Sequence, residues 1–425
     1  MFSEEFLKKE VYCITLDDGN TLVYAPLTRF FAIYEGLVAK DDIISEIENE
    51  AASLMNVPNF VRDRGFSLDS KKVRLRLNIT SSCNLFCSYC SVNSNEIPAT
   101  KKKDMPDSIA FTVIKFFIEY AVQNNKEHLE IVFSGGEPTL KIEQIERIIN
   151  FALNEVRDES IMVSFRLITN GVFSWRKIKP IIHFFREVQV SWDGIFPNHP
   201  RYGNNYLLIN NIVLGNITRL LESNLPVSVL VVVTEQNYSI IRDVVDDLYN
   251  LGIRHIFLAL KDILGRSKNQ GLSVDQNILS TSYIELWQYY RDLDVNINLG
   301  GTDIHSISPF PCSVPAPNYS ISPDGIISSC TTTFNDDSEN VSDFTIGSVD
   351  GCSVNLNERA IANMGKFQVT NISGCSDCFA KWHCRGGCIY SKQGNWFSPL
   401  HSSVCSLIKS IIIQKILIII KEQSN

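Results

Sequence analysis

The stretch "VRLRLNITSSCNLFCSYC", residues 73–90, joins a predicted β-strand to three closely spaced cysteines. Residues 73–80 have the composition of a strand. Cys83, Cys87 and Cys90 follow it with the spacing C-x3-C-x2-C. A disulfide needs two thiols, and a closed zinc or iron–sulfur site usually needs four. Three thiols on one loop therefore point to a metal centre with one open position, unless a distant residue completes a structural zinc site.

Strand and helix patterns alternate along the chain after this stretch. Helical patterns lie near residues 107–124, 141–156, 177–187, 205–223, 240–251 and 275–293. Five more strands are predicted between them, at residues 129–136, 162–171, 187–194, 226–236 and 254–262. Six βα units predict a parallel sheet with helices outside it. Such a sheet is either open and doubly wound or a barrel, which six strands would leave incomplete.

Polar or glycine-rich motifs end the first four predicted strands. They are the cysteine triplet, "SGGEP" (134–138), "TNG" (169–171) and "SWDG" (191–194). In (β/α)8-type barrels the active site lies at the C-terminal ends of the strands. The four motifs are therefore expected on one rim.

Cysteine is unusually frequent, with 12 residues and no secretory signal in the opening "MFSEEFLKKEVYC". In a reducing compartment such cysteines are more often metal ligands or catalytic thiols than disulfides. Ten of the 12 form two groups separated by a long cysteine-free segment. The first group is the triplet, and the second is Cys312, Cys330, Cys375, Cys378, Cys384, Cys388 and Cys405.

The order and spacing of these motifs resemble the radical S-adenosylmethionine (radical SAM) enzymes. Their mark is C-x3-C-φ-x-C or a close relative, with an aromatic residue before the last cysteine, where Tyr89 stands. Their second mark is Gly-Gly-Glu after strand two, matched by Gly135, Gly136 and Glu137. The resemblance covers residues 73–300 and implies an α/β fold, a partial (β/α)6 TIM-like barrel.

By this resemblance the cysteine triplet holds three irons of a 4Fe–4S cluster, and SAM chelates the fourth. The reduced cluster would cleave SAM to a 5′-deoxyadenosyl radical that takes a hydrogen atom from the substrate. Two glycines let the backbone approach a ligand closely, and Glu137 offers negative charge to the methionyl ammonium. The implied SAM contacts are Tyr89, Gly135, Gly136, Glu137, Asn170 and Ser191.

Several rim residues have plainer interpretations beside a functional one. Asn170 and Ser191 also suit a turn or cap. An Asp-Gly turn explains Asp193, and His199 and Arg201 suit packing or surface roles, with contact to SAM or substrate as the alternative. The pair Gly265–Arg266 after strand six resembles a family feature near the adenine side.

The second cysteine group resembles the SPASM extension of radical SAM enzymes. The spacings are C-x12-G-x4-C over 312–330 and C-x2-C-x5-C-x3-C over 375–388, with a short hairpin expected in "YSISPDGIISSC" (319–330). This extension normally binds two auxiliary 4Fe–4S clusters, so three clusters are implied in all. A zinc ribbon is the alternative. The implied ligands are Cys375, Cys378, Cys384 and Cys405 for one cluster and Cys312, Cys330 and Cys388 for the other.

The cluster implied for Cys312, Cys330 and Cys388 has only three cysteines. No cysteine lies between Cys90 and Cys312 to complete it. It therefore has either an open iron or a ligand from elsewhere, for which Cys352 is a candidate.

Three domains follow: an N-terminal module over 1–72, the barrel over 73–300, and the SPASM domain with a C-terminal helix over 301–425. Residues 11–27 predict a hairpin with Asp18-Gly19 at its turn, and a helical stretch follows near 40–56. This module either binds a peptide leader as an added edge strand or has a structural role. The tail "SLIKSIIIQKILIIIK" (406–421) predicts a packed terminal helix, with attachment to a membrane surface as the alternative. It falls short of the ~20 apolar residues of a membrane span.

The net charge of −8 argues against a nucleic-acid partner. Because SPASM proteins mostly act on peptides, the leading hypothesis is a cytoplasmic maturase that cross-links a ribosomally made precursor peptide. It would install a C–C, C–O or thioether bond with a reductant such as flavodoxin or ferredoxin. A sulfatase-type maturase that forms formylglycine is the alternative enzyme. A non-catalytic iron–sulfur electron carrier or a zinc-bearing binding protein is the alternative of another class.

Overall fold

The architecture is that of a computed structural model, which describes residues 10–44, 71–92, 94, 103–157, 160–261, 264–267, 273–312, 318–335, 339–392 and 402–423. These residues group into two compact units. The larger unit contains the described residues of 71–300 and 318–365, and the smaller one those of 10–44, 301–312 and 366–423. The domain limits at residues 72 and 300 stay predictions.

The larger unit is built on a parallel sheet. Seven successive strands lie side by side in chain order and are parallel to one another. They are β4 Lys72–Thr80, β5 His128–Gly135, β6 Met162–Thr169, β7 Phe185–Ser191, β8 Val227–Val233, β9 His255–Leu260 and β10 Asn296–Leu299. A doubly wound sheet would reverse its strand order, so this order agrees with the expected partial barrel.

Helices occupy the connections between these strands. They are α1 Asp107–Gln123, α2 Ile142–Glu155, the short α3 Trp175–Ile178, α4 Tyr206–Glu222, α5 Ile241–Leu251 and α6 Gln276–Tyr290. The six strands and five of their helices lie where the sequence predicted them. The helix predicted at residues 177–187 is wrong in extent: a 3-10 helix, Lys179–Phe184, follows the four residues of α3, and β7 already begins at Phe185. Strand β10 was not predicted, because its four residues "NINL" carry too little pattern.

The sheet continues past β4 with four more strands. Strand β11, Asn318–Ile321, pairs in parallel with β4, and it forms the expected hairpin with β12, Ile326–Ser328. Strands β13, Thr345–Asp350, and β14, Ser353–Leu356, add an antiparallel hairpin, followed by helix α7, Glu358–Asn363.

The two faces of β4 differ in a way that explains its alternating sequence. Val73, Leu75, Leu77 and Ile79 are fully buried on the helix-covered face. The other face carries charged side chains, which pair with a carboxylate on β5: Glu130 accepts from Lys72 Nζ at 2.6 Å and from Arg74 Nε at 2.5 Å. Burial and alternating charge therefore fix the register of the first two strands.

The smaller unit contains an antiparallel three-stranded sheet of β1 Tyr12–Thr15, β2 Thr21–Ala25 and β3 Phe30–Tyr34. The predicted turn is present between β1 and β2, where Gly19 has a positive φ of 84° and donates to Leu16 O at 3.0 Å. Strand β3 was not predicted. The helix begins at residue 40 as expected, and its predicted part beyond residue 44 lies outside the described residues.

The same unit holds the short helix α8, Lys381–Cys384, and the terminal helix α9, Ser402–Gln423. Ile408, Ile412 and Ile416 of α9 pack with Leu22 and Tyr24 of β2. Part of α9, Ser403–Gln423, is long and apolar enough by composition to cross a membrane, with 33% of its apolar window buried. One such helix is weak evidence for a span, and the contacts with β2 agree with the predicted packed helix.

Candidate metal centres

The cysteine triplet follows β4 directly, and the glycine pair after β5 lies against its entrance. Gly136 N donates to Thr80 O and Glu137 N donates to Ser82 O, both at 2.8 Å. A Cβ at Gly136 would lie 2.2 Å from Ser82 O, and Gly135 has a φ of +136°. The two glycines are therefore required by backbone contact with the cysteine loop itself, a reason that the sequence did not reveal.

Glu137 is fully buried, and its carboxylate accepts four hydrogen bonds from the protein. Oε1 accepts from Thr139 N, Thr139 Oγ1 and Thr169 Oγ1 at 3.0, 2.6 and 2.8 Å, and Oε2 accepts from Asn170 N at 2.7 Å. A carboxylate has about four acceptor positions, two on each oxygen, so Oε2 can accept one further hydrogen bond. The observed bonds join β5 to β6, and the contact of Glu137 with a methionyl ammonium stays a prediction.

Asn170 lies at the end of β6 and reaches the first cysteine. Its Nδ2 is 3.6 Å from Cys83 Sγ and 2.8 Å from Asn84 Oδ1, while its Oδ1 accepts from Val172 N at 2.9 Å. Leu85 N also donates to Cys83 Sγ, at 3.4 Å. Two N–H groups thus point at this sulfur, as suits a thiolate ligand.

Tyr89 takes part in a buried network that the sequence missed. Its hydroxyl donates to Asp193 Oδ2, and the Arg201 guanidinium lies 5.5 Å from its ring centre. Arg201 is 7% exposed and donates from Nε to Asp193 Oδ2 at 3.3 Å, and Asp193 is fully buried. Pro200 O accepts from Ser88 N at 2.7 Å. The sequence suggested only a turn for Asp193 and a packing or surface role for Arg201. In the structure both residues bind Tyr89 and so hold the cysteine loop in place. Ser191 ends β7 and is half-buried.

His199 is locked in its neutral form beside this network. Its Nε2 donates to Gly194 O at 3.2 Å, and its Nδ1 accepts from Arg201 N at 3.1 Å. The ring stacks between Phe196 and Tyr202, with both centroids 4.3 Å away. Burial lowers the pKa of His199 to about 4, in agreement with the predicted packing role.

Charge and burial make free thiolates unfavourable in the triplet. Burial raises the pKa of Cys83, and it raises the pKa of Cys87 to about 12, with the neighbouring Cys90 and Cys83 adding to the rise. Metal binding offsets this cost because ligands bind as thiolates. Two buried polar atoms without a hydrogen-bond partner, Tyr202 Oη and Arg266 Nη1, belong to segments in contact with this loop. Both observations suit an iron–sulfur group with a bound anionic ligand.

The four cysteines implied for one auxiliary cluster also lie together, within the smaller unit. Burial raises the pKa of Cys384 to about 12, and Cys405, Cys375 and Cys378 are close enough to add to the rise. Lys392 lies within electrostatic range of Cys388 as well as of Cys375, Cys384 and Cys405. No disulfide joins any of the twelve cysteines, all of which belong to the described residues.

This second cysteine loop is fastened by residues from the start of the chain. Glu10 Oε1 accepts from Lys381 Nζ at 2.6 Å, and Glu10 Oε2 accepts from Trp382 Nε1 at 2.5 Å. Tyr24 Oη lies 2.6 Å from Nε2 of His383, whose Nδ1 is 3.1 Å from Asp303 O. Residues from the start of the chain therefore contact the second cysteine loop, and leader binding by the N-terminal strands stays a prediction.

The trio Cys312, Cys330 and Cys388 stays a prediction. Cys312 and Cys388 belong to the smaller unit and Cys330 to the larger. Cys352 lies at the far end of β13 from Cys330, because β13 pairs at its start with Ser328 and is six residues long. At about 3.3 Å per residue, β13 spans about 20 Å, so its pairing with β12 argues against Cys352 as a ligand of a cluster held by Cys330.

The zinc alternatives require three or four ligands around a single ion at about 2.0–2.3 Å. Within the described residues, no three His, Cys, Asp or Glu side chains are grouped closely enough to hold one metal ion.

A partial parallel barrel with a three-cysteine loop after its first strand defines the class of iron–sulfur enzymes that the motifs suggested. Residues 77–248 match the family model of the radical SAM superfamily. The chain therefore contains a radical SAM domain, followed by a cysteine-rich C-terminal region; enzymes with this domain use SAM and an iron–sulfur cluster.

Two curated relatives carry informative names. The radical SAM cyclopropyl synthase TigE of Paramaledivibacter caminithermalis is 24% identical over 417 residues, covering 92% of this chain and 82% of TigE. The sporulation killing factor maturation protein SkfB of Bacillus subtilis is 25% identical over 276 residues, 62% of each chain.

Two solved structures share the fold. Native anSMEcpe with bound AdoMet and Kp18Cys peptide has a TM-score of 0.63 at 15% identity, covering 83% of this chain and 99% of that one. Streptococcus suis SuiB bound to precursor peptide SuiA has a TM-score of 0.56 at 12% identity, covering 93% and 98%. At these identities the likeness concerns the fold alone.

Proposed function

We propose that this chain is a maturase that oxidises a ribosomally made precursor peptide and forms a carbon–carbon bond in it. The observation that carries the proposal is the second group of buried or half-buried cysteines in the smaller unit, Cys375, Cys378, Cys384 and Cys405, which influence the pKa values of one another. Such a group supplies the ligands of an auxiliary cluster, and a cross-linking reaction needs an acceptor for an electron. A reaction that returned every electron to SAM would need no such group.

The proposed reaction balances with that acceptor. A cross-link joins two C–H positions and releases two hydrogen atoms. One would leave as a hydrogen atom to the adenosyl group of SAM. The other would leave as a proton to a base and as an electron to the auxiliary cluster that Cys375, Cys378, Cys384 and Cys405 would hold. The electron for SAM cleavage would come from an external reductant of the flavodoxin or ferredoxin kind.

Three groups of residues would hold three 4Fe–4S clusters. Cys83, Cys87 and Cys90 hold the cluster that, when bound, supplies the one-electron cleavage of SAM. Asn170 directs its amide at Cys83, Asp193 and Arg201 hold Tyr89, and Gly135 and Gly136 set the path of the loop. The auxiliary ligands are Cys375, Cys378, Cys384 and Cys405 for one cluster, and Cys312, Cys330 and Cys388 for the other.

The choice of a carbon–carbon bond over a C–O or thioether bond follows the relative TigE, named as a cyclopropyl synthase and aligned over 92% of this chain. The peptide substrate agrees with the names of SkfB, SuiB and its precursor SuiA. Because an open iron site is destroyed by oxygen, we place the reaction in a reducing cytoplasm.

The experiment uses anaerobically reconstituted protein with SAM, dithionite and synthetic candidate precursor peptides, taken from any short reading frames found beside the gene. Formation of 5′-deoxyadenosine and a product lighter by two hydrogen atoms, with a new carbon–carbon bond in its fragmentation spectrum, supports the proposal. A hydrazine-reactive aldehyde at a Cys or Ser would indicate formylglycine instead. Full iron content without formation of 5′-deoxyadenosine would indicate a non-catalytic iron–sulfur electron carrier instead.

The N-terminal sheet offers a place for a peptide leader. Strand β3 pairs with β2 on one side and ends the sheet in the described residues, so an added strand is the proposed mode of leader binding. Slower hydrogen exchange at residues 30–34 on addition of the full-length peptide, but not of a leaderless one, would support this. Equal exchange with both peptides would contradict it.

A further inference from the structure

Arg266 lies just after β9 and contacts the cysteine triplet through its backbone and its side chain. Arg266 N donates to Cys90 O at 3.1 Å, and its Nε donates to Cys87 O at 2.6 Å. The preceding Gly265, with a φ of +56°, is so close that a Cβ there would lie 2.1 Å from Cys90 O. One residue thus binds the carbonyls of two of the three cysteines.

The rest of the Arg266 guanidinium packs against an aromatic ring but lacks one hydrogen bond. It stacks on the Phe86 ring at 4.1 Å, and its Nη1 is buried without a hydrogen-bond partner among the residues that the structure describes. A buried donor without a partner costs about 1–3 kcal/mol. Such atoms persist in native proteins where an ion or ligand completes them. Tyr202 Oη is a second buried atom of this kind, in the segment whose Pro200 O accepts from Ser88 N.

The positive charge of Arg266 indicates that the group that would accept a hydrogen bond from Nη1 is an anion. A guanidinium stays protonated in proteins and donates only. The candidate acceptors at this loop are the sulfur atoms of a thiolate-bound cluster and the carboxylate of the methionyl part of SAM.

We propose that Arg266 is a positioning residue of the radical SAM centre. Its Nε and backbone N–H fix the carbonyls of Cys87 and Cys90, and its Nη1 donates to the anionic group bound at the loop. The inference rests on the radical SAM class of the chain and is independent of the peptide substrate.

The test compares Arg266→Gln and Arg266→Lys with Arg254→Gln in the full chain. Arg254 is a matched control because it stacks on Tyr249 at 4.5 Å and donates to two backbone carbonyls, but it precedes β9. Iron and sulfide per chain, the midpoint potential of the SAM-responsive cluster followed by electron paramagnetic resonance, and the Kd of SAM by calorimetry are measured anaerobically.

A lower potential in Arg266→Gln without SAM, restored in Arg266→Lys, identifies the cluster as the acceptor, because a nearby cation favours the reduced, more negative state. An unchanged potential with a Kd for SAM raised about tenfold identifies the carboxylate; that factor corresponds to about 1.4 kcal/mol. Should Arg266→Gln lose iron, recovery of iron in Arg266→Lys supports the proposal. Loss of iron in both variants would contradict the proposed hydrogen bond from Nη1 to the bound anionic group. The proposal would also be contradicted if Arg266→Gln matched wild type and Arg254→Gln in all three measurements.

Discussion

The two cysteine loops of this chain are held in different ways. The loop over Cys83–Cys90 is gripped by the ends of its own unit's strands, through backbone contacts at Gly136 and polar contacts from Asn170 and Asp193. The loop over Cys375–Cys388 is held by Glu10 and Tyr24, which lie about 360–370 positions away in the chain. The first loop is therefore held by residues at the ends of neighbouring strands of one sheet. The second loop is held by residues that lie far from it in the sequence.

The difference extends to the kind of interaction. The first loop depends on a close approach between its backbone and the backbone of Gly135 and Gly136. A side chain at either glycine would clash with the loop. The second depends on a buried ion pair between Glu10 and Lys381, whose side chains are 6% and 4% exposed. Breaking a buried pair by removing one partner is costly, because it leaves an uncompensated charge.

The largest difference between the two loops is expected when one cysteine is removed from each. Cys87→Ala is expected to reduce 5′-deoxyadenosine formation to background, because the cluster that cleaves SAM loses one of three ligands. Cys384→Ala is expected to lose auxiliary iron and the peptide product while SAM cleavage continues. Iron content and chromatographic assay of 5′-deoxyadenosine measure both.

The reverse pattern, with SAM cleavage lost in Cys384→Ala and kept in Cys87→Ala, would overturn the assignment of the two loops. Cys13→Ala is the control, since this exposed cysteine belongs to neither group.

Glu10→Gln should destabilise the smaller unit by about 3–5 kcal/mol, because Lys381 would stay buried without its counter-ion. The free energy of unfolding in guanidinium chloride measures the effect. The matched control is Glu127→Gln, which breaks the exposed pair with Lys71 (63% and 72% exposed) and should cost at most about 1 kcal/mol. Equal costs for the two variants would show that the Glu10 pair does not hold the second loop.

Gly136→Ala should cost about 3 kcal/mol, because its Cβ would meet the backbone oxygen of Ser82. Gly215→Ala in α4 has no atom within 4 Å of the new Cβ and should stabilise by about 0.5–1 kcal/mol. Thermal unfolding compares the two. A tolerated Gly136→Ala would mean that the loop entrance can move, contrary to the close approach inferred here.

How far the sequence could reveal these features depends on how local they are. The six strands, the cysteine triplet and the Gly-Gly-Glu run follow from periodicity and spacing over short windows. The roles of Asp193, Arg201 and Arg266 could not be found in this way, because a single charged residue on a loop gives no sign of its partner. Nothing in the segment around Glu10 predicts that it meets Lys381, since the contact joins residues 371 positions apart.

Acid should weaken the segment that grips the first loop through His199. Burial lowers its folded pKa to about 4, against about 6.5 in the unfolded chain. Between these values the unfolded chain binds more protons, so stability is present above pH 6.5 and falls as the pH drops toward 4, by about 3 kcal/mol.

Denaturant unfolding at several pH values tests this dependence. His199→Phe keeps the ring stack and cannot titrate, so its unfolding free energy should change less over the same range. An identical pH dependence in the variant and the wild type would assign the acid sensitivity to other groups.

The smallest effect is expected at the cysteine that belongs to neither loop by geometry. Cys352 is exposed and lies at the far end from Cys330 of β13, which spans about 20 Å. Cys352→Ala should therefore leave iron content, the auxiliary resonance signals and the peptide product unchanged, whereas Cys330→Ala should alter the auxiliary signals. A changed auxiliary signal in Cys352→Ala would mean that β13 moves when the cluster is bound. In that case Cys352 would be the fourth ligand of the cluster implied for Cys312, Cys330 and Cys388.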